Sequence, residues 1–324
     1  MTRLRLSAAA ALAACLLLAA CGAPSGESGG GESYPSEEIR LIVPYVAGGP
    51  TDIAARALGR FMESDLGRPV LVENLPGASG STAYQELISS DPDGHTLSMT
   101  ALPTAVLNYL VNDVGYTRED FAPVGVVTQV PSALVVPAGS PYRDLGALFA
   151  DARANPQQVT VATPGATNTH AAETRRITEL YGVPLTVLPF DGNQEVLTAL
   201  LGGNTVAGFV NVSQDMLPAI ESGDLRVLAV GTGQRLPYLD GPTFTELGFP
   251  ELTQSTTTFG LLAPAGTPPP VVDRVEQSMR AASADPEVVK VLDERYVPEQ
   301  FLGSDALADL FVRTEETFRG VVGP

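Results

Sequence analysis

The sequence contains no tryptophan, two cysteines, two histidines and a single lysine, Lys290. Each scarcity removes a class of chemistry. Metal centres built on paired histidines or sets of cysteines have too few ligands to form. Cys15 and Cys21 both lie within the first 21 residues, so the folded part carries neither a disulfide nor thiol chemistry. No glycine loop ending in lysine cradles phosphates, no G-x-G-x-x-G follows the first strand, and no strand leads into a G-x-S-x-G elbow. A Ser-His-Asp triad would have to use His95 or His170, and no nucleophile stands out beside either. An exported hydrolase is therefore the weakest reading, and no cofactor or metal is expected. Positive charge is scarce too: 19 basic against 37 acidic side chains give a net charge of −18. Such a surface repels phosphate backbones, which excludes nucleic acid as a partner.

Long apolar runs are also missing, with one exception at the start. Arg3 and Arg5 precede the apolar stretch Leu6 to Ala20, which is too short for a comfortable membrane span and reads as a secretory signal over residues 1–20. The run ends Leu18-Ala19-Ala20-Cys21-Gly22, similar to a bacterial lipobox in which Cys21 is lipidated and becomes the first mature residue. Loss of Arg3 and Arg5 would carry the net charge from −18 to −20. Residues 21–36, rich in Gly, Ser, Glu and Pro, then form a flexible tether to the membrane.

What is present in abundance is alternation. With 324 residues, 44% of them apolar, the chain exceeds one ordinary core and fits two. Its 27 prolines and 32 glycines are spread out, punctuating short loops. Strands at Ile39 to Val43, Val70 to Glu73 and Thr96 to Met99 enclose helices beginning near Thr51 and Ser81, a βαβαβ unit with parallel strands. Val124 to Val136, broken by Pro131, reads as a strand leaving one lobe and a strand entering the next. A second alternation follows through Val159 to Val161, Leu185 to Leu188, Val206 to Val210 and Arg226 to Val230, with helices at Asp144 to Asn155, His170 to Tyr181 and Glu195 to Leu201. Thr256 to Pro264 is the return crossing, and helices Pro269 to Ala284, Asp285 to Tyr296 and Ser304 to Arg319 close the chain. This predicts a discontinuous first domain, 37–132 and 256–324, and an inserted second domain, 133–255. Two α/β lobes joined by two strands can hinge shut on a ligand.

The candidate site starts at Tyr45-Val46-Ala47-Gly48-Gly49-Pro50-Thr51-Asp52, where a buried strand turns through two glycines into a helix. The turn aims free backbone N–H groups at one point, which suits an anion, and Gly48-Gly49 lets a ligand approach the backbone. The same pair also suits a turn that needs positive φ for packing alone. His170 is either a ligand group or a helix-capping side chain; Asn211 is either a cleft residue or a strand end satisfied by backbone. Gly77 and Gly80 shape their loop or border the ligand. His95 reads as a solvated loop residue, and Asp293, Glu294, Glu315 and Glu316 as solvated helix faces. No Lys or Arg lies between Arg40 and Arg56 or between Arg153 and Arg175, so the loops hold no cation of their own. A carboxylate bound there would rely on amides, hydroxyls and helix N-termini.

Five ordered segments carry a family likeness: Ile42 to Asp52, Val72 to Gly80, Pro92 to Leu97, Asp120 to Val124 and Gly260 to Pro268. The chain resembles the substrate-binding proteins of tripartite tricarboxylate transporters, also called the Bug family, over nearly all of its length beyond Ile39. The resemblance implies an α/β, periplasmic-binding-protein-like (Venus flytrap) fold, two doubly wound α/β domains joined by two crossing strands. It implies a lipid-anchored, extracytoplasmic monomer that captures a small organic carboxylate and hands it to membrane transporter subunits. The ligand-binding residues it implies are Tyr45, Ala47, Gly48, Gly49, Thr51 and Asp52 from one lobe, and Thr163, Gly165, Thr167, Asn168, His170 and Asn211 from the other. The chain departs from the pattern in three places. The loop Thr163 to His170 lacks one glycine, Asn211 replaces a frequent Asp, and Thr258 replaces a frequent Trp. A sensor that presents its closed form to a membrane receptor kinase is the alternative reading.

Overall fold

The computed structural model of the protein describes residues 34–252 and 255–319. Cys21 and the signal and tether stretches before residue 34 lie outside them. In chain order the elements are β1 Ile39–Val43, α1 Pro50–Leu66, β2 Val70–Asn74, α2 Ser81–Ile88, β3 Thr96–Leu102, α3 Thr104–Val111, β4 Phe121–Val130 and β5 Ser132–Pro137. They continue α4 Leu145–Ala154, β6 Thr160–Thr163, α5 Thr169–Tyr181, β7 Thr186–Pro189, α6 Asn193–Leu201, β8 Ala207–Asn211, α7 Leu217–Glu221 and β9 Leu225–Val230. The last four are β10 Thr257–Pro264, α8 Pro269–Ala284, α9 Pro286–Leu292 and α10 Ser304–Arg319.

The strands form two sheets, ordered β2-β1-β3-β10-β4 and β7-β6-β8-β5-β9. β1 pairs in parallel with both β2 and β3, as the βαβαβ reading predicts. β10 runs antiparallel between β3 and β4, and all eight of its residues are buried. In the second sheet β6 is parallel to β7 and β8, while β5 is antiparallel to β8 and β9. Pro131, which lacks a ladder donor, separates β4 from β5 where the chain leaves one sheet for the other. The result is a two-lobed α/β fold of the Venus-flytrap kind.

Both faces of each sheet are covered. Ala54, Leu58 and Met62 of α1 pack with Val275, Met279 and Leu292 of α8 and α9 on one face of the first sheet. Tyr84 and Leu87 of α2, Val106 of α3 and Phe311 of α10 cover the other. In the second lobe, Phe149 and Ile177 lie on one face and Val196, Leu200 and Leu217 on the other. Helix ends carry the expected signals. Pro50 starts α1, Gly67 closes it in the left-handed region with its N–H on Glu63 O, and Asp144 Oδ1 caps α4 through Ala147 N–H at 2.8 Å.

The structure differs from the sequence reading at several points, the short helix α7 among them. Helix α3 was not anticipated, because Thr104 to Leu107 continues the apolar run of β3 and masks the change of period. The helix expected over Asp285 to Tyr296 stops at Leu292, where Asp293 takes φ +72°. Asp293 and Glu315 are not solvated faces: Asp293 pairs with Arg295, and Glu315 pairs with Arg118 at 2.9 Å and accepts from Tyr109. No helix among the described residues is long and apolar enough to cross a membrane.

Candidate functional site

The C-terminal ends of β1, β2 and β3 and those of β6 and β8 face one another across the cleft. The contact that establishes this is between loops: Ser79 Oγ, after β2, lies 2.8 Å from Thr167 Oγ1, after β6. Thr167 also donates to Asn108 Oδ1 of α3 at 3.4 Å, and Asn108 Nδ2 holds Ser79 O at 2.8 Å. On the opposite flank Gln214 Nε2 reaches Val291 O and Tyr296 Oη reaches Val212 O, at 2.9 and 2.6 Å. The lobes thus touch on both sides of the cleft.

Residues Gly77 to Gly80 all have positive φ, at 148°, 46°, 54° and 98°. Two of them, Ala78 and Ser79, are ordinary L-residues held in the left-handed region, each at a cost of about 1–2 kcal/mol. A Cβ on Gly77 would stand 2.5 Å from Thr82 Oγ1, so the loop needs glycine there for space as well as for φ. Strain of this kind persists where the surroundings over-determine it and gathers at functional sites. Ser79, Asn108, Ser132 and Thr257 are cleft and hinge residues absent from the set that the resemblance implied. The quoted loop Pro76 to Gly80 was the one local signal for Ser79.

The first loop is internally saturated. Asp52 is buried, and its carboxylate accepts from Gly48 N–H at 2.9 Å, Arg56 Nε at 3.0 Å and Asn74 Nδ2 at 2.9 Å. Burial alone would raise its pKa, but the Arg56 guanidinium, the Gly48 amide and Asn74 hold it below the usual range. Asp52 therefore builds the loop, and Gly48, at φ +87°, spends its N–H on that task. Gly49 is extended, at φ −81°, with room for a Cβ. Ala47 and Gly48 are exposed at the rim. The Tyr45 hydroxyl lies beside Tyr84 and Thr104 and near Gly80, where burial pushes its pKa well up. What this loop offers an anion is the first turn of α1, where helix geometry leaves the Thr51 and Asp52 N–H groups without intrahelical partners.

The second loop repeats the theme. Thr163 Oγ1 bonds Gly165 O at 2.8 Å, and Asn168 caps α5 through Ala171 N–H at 2.9 Å. Gly165 has φ +138°. The Thr169 and His170 N–H groups remain as the counterparts from α5. Arg175 Nη2 reaches back to Ala166 O at 2.8 Å, so this loop, like the first with Arg56, is braced by an arginine from one or two helical turns inside. The stretches without cations in sequence are not free of cations in space.

His170 is 2% exposed and sits against Phe209. Its Nε2 lies 2.8 Å from Ser132 Oγ, which also bonds Ser255 O and Asn211 Oδ1. A hydroxyl has one hydrogen, and two acceptors already compete for it, so Nε2–H serves as donor to Ser132. Nδ1 is then bare, and it has no hydrogen-bond partner among the described residues. Burial pulls the imidazole pKa down to about 3, with Asn211 only partly offsetting it. Asn211 Oδ1 also accepts from Thr257 Oγ1 at 2.8 Å. Ser132 and Thr257 open β5 and β10, just after the chain's two passages between the sheets, so His170 and Asn211 form a knot beside those passages. The capping alternative for His170 fails as well, since Asn168 is the cap.

His95 is not solvated. Its Nε2 accepts from Ser36 and Glu37 N–H at 3.1 and 3.4 Å, and its ring lies 5.3 Å from that of Tyr34. Glu37 and Asp93 are close enough to suggest a metal set, but the Nε2 lone pair is already occupied and Nδ1 faces Asp93 at 3.2 Å. The trio pins the start of the folded part to the loop before β3.

Comparison with known proteins shows what the chain resembles. The family profile "Tripartite tricarboxylate transporter family receptor" matches residues 54–313. Protein BugT of Bordetella pertussis is 34% identical over 267 residues, covering 80% of each chain. Among solved structures, MatC from Rhodopseudomonas palustris with bound malate is 29% identical with a TM-score of 0.79, covering 90% of this chain and 100% of its own. Rpa4515 of R. palustris with adipate is 27% identical with a TM-score of 0.78, covering 89% and 98%.

Proposed function

Because this chain belongs to the tripartite tricarboxylate transporter receptor family, the Bug family, we propose that it captures a small organic carboxylate between its lobes and delivers it to separate membrane transporter subunits. In this reading it works outside the cytoplasm as a monomer, anchored through a lipidated Cys21. Residues 37–132 with 256–324 form one jaw, and 133–255 form the other. The relatives with malate and adipate support a carboxylate ligand.

What supports the proposal is that a helix N-terminus follows a parallel strand in each lobe, beside loops that touch one another. The first turns of α1 and α5 each follow the C-terminal end of a parallel strand, and the Ser79–Thr167 contact closes the space beside them. Amide donors to a charged oxygen contribute about 1.5–3 kcal/mol each. Four such bonds supply about 6–12 kcal/mol, the order of the ~8 kcal/mol of micromolar binding before the association cost is met. The side chains that build the loops are neutral or already paired, so the grip comes from backbone dipoles.

A thermal-shift screen on protein refolded free of bound ligand tests this. At about 100 times Kd a ligand adds ~2.7 kcal/mol, a rise in Tm of about 5–10 °C. No shift with any di-, tri-, hydroxy- or amino-carboxylate at millimolar concentration would reject the proposal.

A further inference from the structure

A pocket opens beside the Gly48 loop, on the flank of the cleft away from Ser79. Its walls are apolar: Pro50, Ile53 and Ala54 of α1, Val130 of β4 and Leu292 of α9. At its second-lobe end the lining changes to Ser213, Gln214 and Asp215, the segment that follows β8, and Asp215 is the one charged residue that lines it.

The Asp215 carboxylate is half-buried. It accepts from Ser213 Oγ at 2.5 Å and from Asn193 Nδ2 at 3.5 Å. No lysine, arginine or histidine is paired with it among the described residues. Asn193 is 7% exposed, and its Oδ1 is buried without a hydrogen-bond partner among the described residues. The side-chain donors of Asn193 and Ser213 are committed: Asn193 Nδ2 serves Asn211 O, Ser213 Oγ and Asp215 Oδ1, and the Ser213 hydroxyl serves Asp215. Acceptors are therefore in surplus, with one full negative charge among them. A group that brings N–H or O–H is favoured here, and a carboxylate would meet like charge in a partly desolvated site.

Gly48 joins this pocket to the loop that precedes the first turn of α1. An acid held by that turn extends its far end along the apolar wall toward Asp215. We infer that the pocket sets specificity for the far end of the ligand. It takes an acid with one carboxylate, an apolar body, and a hydrogen-bond donor, hydroxyl or ammonium, where a second carboxylate would otherwise stand. The inference rests on the carboxylate reading of the cleft and narrows it, since it disfavours unsubstituted dicarboxylates of the adipate kind.

The test is calorimetric titration of refolded protein with acids matched in length: succinate, 4-hydroxybutyrate and 4-aminobutyrate, then adipate, 6-hydroxyhexanoate and 6-aminohexanoate. At one or both lengths the donor-bearing acid is expected to bind at least about tenfold tighter than the diacid. In Asp215→Asn the preference should fall to about threefold or less, mainly through a gain for the diacid. The wild-type ratio stands alone should that variant not fold. A wild-type protein that prefers the diacid at both lengths overturns the inference while leaving the carboxylate reading intact. So does a ratio that Asp215→Asn leaves unchanged. If none of the six acids binds, the inference falls, and the carboxylate reading is decided by the wider thermal-shift screen.

Discussion

Ser79 Oγ and Thr167 Oγ1, one from each lobe, stand 2.8 Å apart, and Asn108 holds both residues in place. Two neutral hydroxyls make a weak clasp that water can replace on opening. Removing it with Ser79→Ala should cost the closed state about 0.5–1.5 kcal/mol, read as a threefold to tenfold loss of ligand affinity by calorimetry. Urea stability should barely change. Asn108→Ala should lose more affinity, because the strained Ala78–Ser79 loop then loses its brace as well. Equal affinity in both variants would remove the clasp from the account.

Asp52 is a structural residue in this account. Asp52→Ala frees the Gly48 N–H and unpairs Arg56 and Asn74 at once. It should lower stability by about 1–3 kcal/mol in urea unfolding. Because the folded pKa is depressed, the stabilisation is present above the unfolded carboxyl pKa and is lost as pH falls through the folded value. The difference in stability between wild type and Asp52→Ala should therefore shrink below about pH 4.

The two neighbouring glycines should separate strain from ligand approach. Gly48→Ala places a side chain at φ +87° and should cost about 1–2 kcal/mol of stability, although no atom would meet its Cβ. Gly49→Ala has an extended backbone and space, so stability should hold. A loss of binding in Gly49→Ala without loss of stability would mark close approach of the ligand at that residue.

Two buried groups on α5 titrate in opposite senses. His170 has its pKa lowered to about 3 by burial, so the unfolded chain binds the proton first. Its contribution falls by up to about 1.4 kcal/mol per pH unit as pH drops from about 6.5 toward 3. Glu173, fully buried with Arg176 Nη1 at 2.8 Å, is raised by burial to about 7. Its favourable contribution is complete below about 4.5 and is lost as pH rises through 7. The two slopes oppose each other between these limits, so Tm against pH is read as a difference from variants. His170→Gln should flatten the acid limb. Arg176→Ala, which leaves Glu173 without its partner, should cost about 3–5 kcal/mol near neutrality and less at pH 4.

Much of this molecule was legible because its signals are local. The run Ile39 to Val43 followed by Gly48-Gly49 encodes a buried strand and a turn within a dozen residues, and the structure has them there. Pro131 marked the first crossing between sheets for the same reason. The site was less legible, because its contacts are distant in sequence. Asp52 was expected among the ligand-binding residues at a helix start, and only the fold brings Asn74 to it. Thr167 meets Ser79 across 88 residues, and Ser132 meets His170 across 38. No periodicity records such pairings. Asn108 was lost with α3, whose apolar first half resembles the strand before it.

The central claim is that backbone donors of α1 and α5 grip a carboxylate. It is tested most directly by titrating the refolded protein with hydroxy-, amino- and dicarboxylic acids and with their methyl esters. One acid molecule should bind per chain, and esterification of the gripped carboxylate should cost at least about a hundredfold in affinity. Esters that bind as tightly as the acids, or acids that give no heat at millimolar concentration, would contradict it.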